Sequence, residues 1–486
     1  MSLRLGLALT FAAIFLAGCS GDEEPAAQSP DMTTTLKVMT FNVFYGADEM
    51  KLPERDWCTD PEGCQDTFAL AVEAIRRSDA DVVGLQEATA NTCRIAEGLD
   101  WHCDGRTATI SRYPLIDPGG ANGLYVFVEP TPGRVVAVAN THLPATPYGP
   151  YQLDRGKSEE EVIALEEARR LPAIQPQLEG LPPLAESGIP VFLTGDFNSP
   201  SHHDLAHGVD WPVSKALEDA GFQDSFRVAN PEPAERPGFT WTPGGPESIR
   251  REVHDRIDWV LSAGPAQALE SRVVGEADYE GSDIDFPQWP SDHRGVVSTF
   301  RVTPAEAEFV AVESRSLEQG ETQVVRFQSG GDAQPSVSPA AEVSMGDGRA
   351  TIATESLSPG RYEVTLGDAA TEFWVYEPGS ETTISAAKST YEAGERIQVS
   401  WTNAPGMKWD WIAAFPAGDG ADHPRAENCP TGYCGNGNYI GYRYTQASIE
   451  GSTTIRPLKP GRYDVRLLLD DGYTRAAISE PFEVVP

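Results

Sequence analysis

Two kinds of hydrophobic patterning divide the chain. From about Thr34 to Thr303, short apolar runs alternate with helical or loop-like stretches: "LKVMTFNV", "ADVVGLQE", "RVVAVANTHL", "PVFLTGDFN" and "RIDWVLS". Apolar runs of this length, bounded by turn residues, predict strands. After Thr303 the pattern shortens to strands and turns with little helix, as β-sandwich modules require.

The second region repeats itself. "LSPGRYEVTL", Leu357 to Leu366, returns as "LKPGRYDVRL", Leu458 to Leu467, and "SLEQGE", Ser316 to Glu321, is echoed by "TYEAGE", Thr390 to Glu395. Matched segments in the same order predict two tandem immunoglobulin-like domains, residues 304–378 and 379–486. In the second of them Trp401, Trp409 and Trp411 read as core residues, since a small sandwich buries its tryptophans, and Asp470 and Asp471 in "LLLDDGY" read as a turn. No chemistry is assigned to this half, and its ligand is left unknown.

The polar residues of the first region fall at the ends of its strands. "VMTFN" ends at Asn42, "VVGLQE" at Glu87, "VVAVANTH" at His142 and "PVFLTGD" at Asp196. If these strands lie side by side, their ends gather those side chains on one rim, where loops expose them. A buried charge is costly, so polar groups belong at that open edge. In "TGDFNSP", Asp196 and Asn198 are two positions apart and are expected to project from one side of an extended chain that Pro200 ends.

Composition adds compartment and partner class. At 486 residues and 40% hydrophobic content, the chain is long enough for two to four domains at roughly 100–200 residues each. Arg4, the apolar "LGLALTFAAIFLAG" and Cys19 have the dimensions of a secretory signal, too short to span a bilayer comfortably. "LAGC" resembles the bacterial lipobox. It implies a signal peptide over residues 1–19, a lipidated Cys19 and a tether over 20–33, hence an exported lipoprotein facing the periplasm or cell exterior. Cys19 apart, six of the seven cysteines remain: Cys58, Cys64, Cys93, Cys103, Cys429 and Cys434. They fall into three local couples and predict disulfides in an oxidising compartment; their connectivity stays open, and zinc is disfavoured because no couple is a CxxC. The formal charge of 37 minus 73, or −36, excludes broad, non-specific binding of polyanions, which leaves nucleic acid only as a substrate.

In order, the first region reads "FNV" (Asn42), "LQEA" (Glu87), "ISRYPL" (Arg112), "NTHL" (Asn140, His142), "GDFN" (Asp196, Asn198), "GFTW" (Thr240), "RIDWV" (Asp258) and "SDHRGV" (Asp292, His293). This series resembles the endonuclease/exonuclease/phosphatase superfamily over about Leu36 to Val302. The resemblance implies a four-layered α/β sandwich, here residues 34–303, that hydrolyses phosphate esters with a divalent metal. It implies Glu87 as the main metal ligand, with Asn42 and Asp292 beside it. Mg²⁺ suits such hard oxygens, with Mn²⁺ or Ca²⁺ as alternatives. Asp196 and His293 then surround the attacking water, and Asp258 buttresses His293. His142 and Asn198 face the developing negative charge, while Arg112, Asn140 and Thr240 contact the substrate phosphate.

Other features bear on the substrate. The Pro- and Tyr-rich stretch that follows "NTHL", up to Gly156, predicts a loop overlooking the site, and a charged, helix-like stretch follows it. His202 and His203 are either further ligands or solvent-facing residues after a capping Ser201. Trp101, His102 and Tyr148 either line a pocket or pack. The expected activity is hydrolysis of small organic phosphates or phospholipid head groups by an exported, membrane-anchored enzyme. The alternatives are an extracellular nuclease and an inactive surface-binding lipoprotein.

Overall fold

Alternation along single strands builds the layers. In strand β1 (Thr34–Asn42), Leu36 and Val38 point one way and Met39 and Phe41 the other, and all four are buried. Both faces are therefore covered, the first by a second sheet and the second by helices. Strands β2 (Val82–Gln86), β3 (Arg134–His142), β4 (Val191–Asp196), β5 (Asp258–Ala263) and β6 (Gly295–Val302) repeat this double burial. A computed structural model describes residues 32–47, 67–204, 206–243, 252–277, 279–346, 348–418, 439–472 and 474–486. The lipobox with Cys19, the tether up to residue 31, and Cys58, Cys64, Cys429 and Cys434 lie outside the described residues. Cys93 and Cys103 form a disulfide.

Residues of β1, β2 and β6 lie in a seven-stranded sheet and those of β3, β4 and β5 in a six-stranded one. Between the sheets sits a core of Leu36, Val38, Val82, Val136, Val138, Phe192, Val260, Val296 and Phe300. Helices Thr67–Ser78 and Thr92–Leu99 cover the outer face of the first sheet through Ala71, Ile75 and Ile95. Helices Leu171–Gly180 and Pro212–Asp219 cover the second through Ile174, Val213 and Leu217. The result is a four-layered α/β sandwich.

Two all-β sandwiches follow. Four-stranded sheets pair around Val325, Ile352, Tyr362, Val364 and Phe373, and a second pair of sheets closes on Ile397, Val399, Trp401, Tyr463 and Val465. The sequence repeat is a structural one. Tyr362 Oη donates to the Ser358 carbonyl at 2.9 Å and Tyr463 Oη to the Lys459 carbonyl at 3.0 Å. The Glu318 amide donates to Glu321 as the Glu392 amide does to Glu395.

Both sandwiches are fastened to the α/β domain. Arg326 of the first reaches Glu129 at 2.8 Å. From the second, the Lys408 amide donates to the Gly105 carbonyl at 2.9 Å and Lys408 Nζ to the Gly123 carbonyl at 2.6 Å. That burial pulls the Lys408 ammonium down to about 8.

Candidate active site

The register of the strands assembles the site. In the parallel pair β3–β4, His142 lies opposite Asp196, and in the antiparallel pair β4–β5, Asp196 lies opposite Asp258. Three neighbouring strands thus bring His142, Asp196 and Asp258 to one row. In the other sheet Asn42 lies opposite Gln86, immediately before Glu87. The facing side chains change character along the gap between the sheets. Above the apolar core comes a polar layer: Gln86 Nε2 donates to Asn140 Oδ1 at 2.7 Å and to Thr40 Oγ1 at 3.1 Å, and Thr194 Oγ1 donates to Asn140 Oδ1 at 3.2 Å. Beyond that layer the rim opens into a cleft of about 1230 Å³.

Asp196 is the hub of this rim. Its Oδ2 accepts from Asn42 Nδ2 at 3.1 Å and stands 3.5 Å from His142 Nε2 and 3.6 Å from His293 Nε2. Asp258 Oδ2 lies 2.9 Å from His293 Nδ1. Ser291 fixes the approach of His293 by donating to the Asn42 carbonyl at 2.6 Å and accepting the His293 amide at 3.1 Å. Burial pulls His293 down, but the Asp258 and Asp196 carboxylates overcome it and raise the imidazole well above its ordinary value. His142 is likewise lowered by burial, then lifted to about 9 by Asp471, Asp196 and Glu87.

Glu87 adopts φ +55 just beyond β2 and turns its carboxylate into the cleft, where Oε1 accepts from Asn42 and Oε2 from the Tyr45 amide, each at 3.2 Å. Asp292 joins it there. Its Oδ1 is buried without a hydrogen-bond partner in the protein, and burial raises the carboxyl to about 7. Glu87, Asp196, Asp258, Asp292 and Asp471 outnumber the two imidazoles around this space, so negative charge is in excess. Hard oxygen donors, an orphaned carboxylate oxygen and surplus negative charge fit a divalent cation held by Glu87 and Asp292. Asp196, Asp258 and His293 also converge closely enough to share an ion. Asn42 presents its amide nitrogen to the carboxylates while Oδ1 accepts the Phe44 amide at 3.0 Å; serving as an oxygen ligand requires that amide to turn over.

Several expected residues stand elsewhere. Arg112 follows the strand that pairs with Val82, the far end of β2 from Gln86, and is held by Asp79 at 3.0 Å. The length of β2 separates it from the cleft. Asn140 is fully buried, its Nδ2 donating to the Leu85, Thr107 and Ala108 carbonyls, so it ties the sheets together and touches no substrate. Thr240 is also buried; its hydroxyl accepts the Ile257 and Asp258 amides and anchors the start of β5. Asn198 does line the cleft, but not by strand alternation. The strand ends at Asp196, whose Oδ1 caps the Asn198 amide at 2.9 Å, and Asn198 takes φ +49 in the turn before Pro200 is reached.

The segment after His142 lines the cleft with Pro144, Pro147 and Tyr148 from a loop, but from Gly149 to Asp154 the expected loop is a short helix, which presents Tyr151. Tyr148 Oη donates to Asp255 at 2.7 Å. Trp101 instead packs beneath Arg112, and His102 is exposed. His202 bonds Ser214 and Glu218 at 2.8 Å, outside the cleft. With His203 it forms a second grouping that could hold an ion.

What the sequence does not announce is that the second sandwich takes part in the site. Trp401, Trp409 and Trp411 are all buried, as expected, but Trp411 also borders the cleft, Trp409 meets His142 edge-on at 6.0 Å, and Asp471 Oδ2 approaches His142 Nδ1 at 3.5 Å. The half of the chain given no chemistry contributes to the site. No local signal marks these residues, because "DDGY" reads as a turn and is one.

The chain is similar to known proteins over its α/β domain. The sequence model described as "Endonuclease/Exonuclease/phosphatase family" matches residues 39–293. Uncharacterized protein F14F9.5 of Caenorhabditis elegans is 28% identical over 304 residues, 54% of this chain and 91% of that protein. Among solved structures, an endonuclease/exonuclease/phosphatase family protein of Bacteroides thetaiotaomicron aligns at 14% identity and a TM-score of 0.33, over 56% of this chain and 98% of its own. The mannosyl-6-phosphatase Bt3783 of the same organism aligns at 16% identity and 0.32, over 55% and 99%. D. rerio TDP2 complexed with single-strand DNA product aligns at 15% and 0.34, over 55% and 99%.

Proposed function

The chain belongs to the endonuclease/exonuclease/phosphatase family, whose members hydrolyse phosphate esters, and from that premise we propose that it is a metal-dependent phosphoesterase of small organic phosphates or phospholipid head groups. The observation that carries this reading is the junction at Asp196, where two imidazoles and the Asp258 buttress meet one carboxylate beside Glu87 and Asp292. Asp196 Oδ2 orients the attacking water and takes up its proton. Asp258 keeps the proton on His293 Nδ1 and fixes the ring, so that the Nε2 side faces the reacting phosphoryl group. His142 and His293 carry positive charge toward the developing negative charge, and Asn198 stands at the same wall. Glu87 and Asp292 would hold Mg²⁺, or Mn²⁺ or Ca²⁺ in its place. When bound, such a cation neutralises the phosphate and polarises its P–O bond for in-line attack.

The net charge of −36 supports small esters over long polyanions. Chelation is expected to abolish activity and added Mg²⁺ to restore it. The decisive assay offers bis-p-nitrophenyl phosphate, p-nitrophenyl phosphate, sphingomyelin and plasmid DNA to the wild type and to Glu87→Ala and His293→Ala. Both variants should lose at least about 100-fold in rate; unchanged rates would remove the assigned site, and turnover of plasmid alone would make the protein a nuclease. "LAGC" supports export and lipid anchoring as part of the same proposal. Cys19→Ala should then move the protein from the membrane to the soluble fraction, and its retention on membranes would refute the anchor.

A further inference from the structure

The turn at Asp470–Asp471 is pinned to both domains. Its residues take φ +44 and +61. Asp470 Oδ2 accepts the Ala90 amide of the α/β domain at 3.2 Å, from 380 residues away, while Oδ1 accepts the Trp409 amide at 3.3 Å. Gly472 follows so closely on Thr89 that a Cβ there would stand 2.9 Å from the Thr89 Cβ. A turn fixed in this way places its neighbours, and those neighbours are aromatic. Tyr444 Oη donates to Asp471 Oδ1 at 2.7 Å, Asp471 Oδ2 reaches His142, and His142 reaches Asp196. A continuous polar path therefore joins a tyrosine of the second sandwich to the reacting centre.

Tyr444 is one end of a stripe. Tyr442 and Tyr444 are two apart on the edge strand Ile440–Tyr444 and share a face. Their rings meet edge to face at 5.8 Å, Tyr439 meets Tyr442 at 6.1 Å, and Trp411 meets Tyr439 at 5.2 Å. The Trp411 indole donates to the Gly472 carbonyl, which ties the stripe back to the same turn. All four rings line the catalytic cleft. Tyr442 and Tyr444 remain 38% and 44% exposed there, so their faces are open to an occupant.

We propose that this stripe is a substrate subsite, in which Tyr442 and Tyr444, backed by Tyr439 and the buried Trp411, stack on the ring of a ring-bearing phosphate ester whose phosphate lies at Asp196, His142 and His293. The inference rests on the phosphoesterase reading and names its substrate class. Rigid aromatic faces with hydroxyl rims suit a pyranose or a nucleobase, which offers a flat or chair-shaped face and polar edges. An acyclic ester such as glycerol 3-phosphate offers no such face. The polar path through Asp471 keeps the ring within one residue's reach of the phosphate, so a ring joined closely to the phosphate is required.

The test uses the full chain with Mg²⁺ and three esters: glucose 6-phosphate, adenosine 5′-monophosphate and glycerol 3-phosphate. The wild type should prefer one of the ring esters over the acyclic ester by about tenfold or more in kcat/KM. Tyr442→Ala should erase most of that preference through KM, and Tyr442→Phe, which keeps the ring, should restore it. The better ring ester identifies sugar or base as the source. Equal kcat/KM for ring and acyclic esters, or a ratio indifferent to Tyr442→Ala, would overturn the subsite and leave the phosphoesterase reading standing. Calorimetric binding of the same esters to His293→Ala separates the two ideas. Ring-selective binding that Tyr442→Ala weakens, with no turnover of any ester by the wild type, would keep the subsite and remove the phosphoesterase reading; neither binding nor turnover would overturn both.

Discussion

Asp258 and Arg112 show how differently two charged residues of the same motif series are used. Asp258 is fully buried against His293, and its second oxygen has no partner in the protein. Asp258→Asn should keep the fold and lower kcat by roughly 10–100-fold with little change in KM, because the imidazole loses its orienting carboxylate; steady-state kinetics with circular dichroism as a fold control would check this. Arg112 pairs with Asp79 at side-chain exposures of 39% and 59%. Arg112→Ala should therefore leave kcat/KM within about twofold and change stability by about 0–1 kcal/mol, the ordinary yield of an exposed ion pair. Asn140→Ala should behave in the opposite sense, since it orphans buried carbonyls at about 1–3 kcal/mol for each group left unpaired. Thermal unfolding would register that loss before any assay of activity did.

At the scale of elements, the strands were legible because their apolar runs end at polar residues, and the ends of β1 to β4 are where the site is built. Asp196 needed only the end of a strand to be recognised. Asn198 needed the turn beyond it, which alternation cannot describe. The turn at Asp470 and the neighbouring Asp410 carry a pH prediction. Burial raises each carboxyl to about 7 from an ordinary value near 3.8. The folded state therefore holds protons that the unfolded state has released between those values, so the contribution of these two groups to stability is greatest below about pH 4, falls as pH rises to about 7 and is level above. Asp470→Asn should flatten part of that slope. Melting temperatures of wild type and variant from pH 4.5 to 8 should lie closest at the acid end, where Asp470 is neutral, and diverge most near pH 8, where only the wild type buries that charge, at about 2–4 °C for each kcal/mol in domains of this size.

At the scale of the whole molecule, charge and domain docking decide what reaches the cleft. A chain of net charge −36 repels long polyanions across distances that salt shortens, from about 30 Å at 0.01 M to about 10 Å at 0.1 M. Any turnover of single-stranded DNA should therefore rise with salt over that range while rates on small esters change little. A DNA rate that falls with salt would reveal a locally basic path to the cleft. The residues placing the second sandwich against the α/β domain, Lys408 and Asp470 among them, also make its aromatic stripe part of the cleft.

The amino-acid sequence by itself determined the layered strands, the repeated sandwiches and the row of polar strand ends, because each depends on periodicity or on residues close together in the chain. It placed Asp196, His142, His293, Asp258 and Glu87 in one series; the structure brings Asp196, His142, His293 and Glu87 into one cleft and sets Asp258 behind His293. Only the tertiary structure decided that Arg112 lies at the wrong end of β2, that Asn140 and Thr240 are spent on backbone groups, and that Asp471 and the tyrosine stripe face His142. Which end of a strand a residue occupies depends on register, what a buried polar group bonds depends on its neighbours across the sheets, and the docking of one domain on another depends on surfaces far apart in sequence. None of these leaves a periodic mark in the chain.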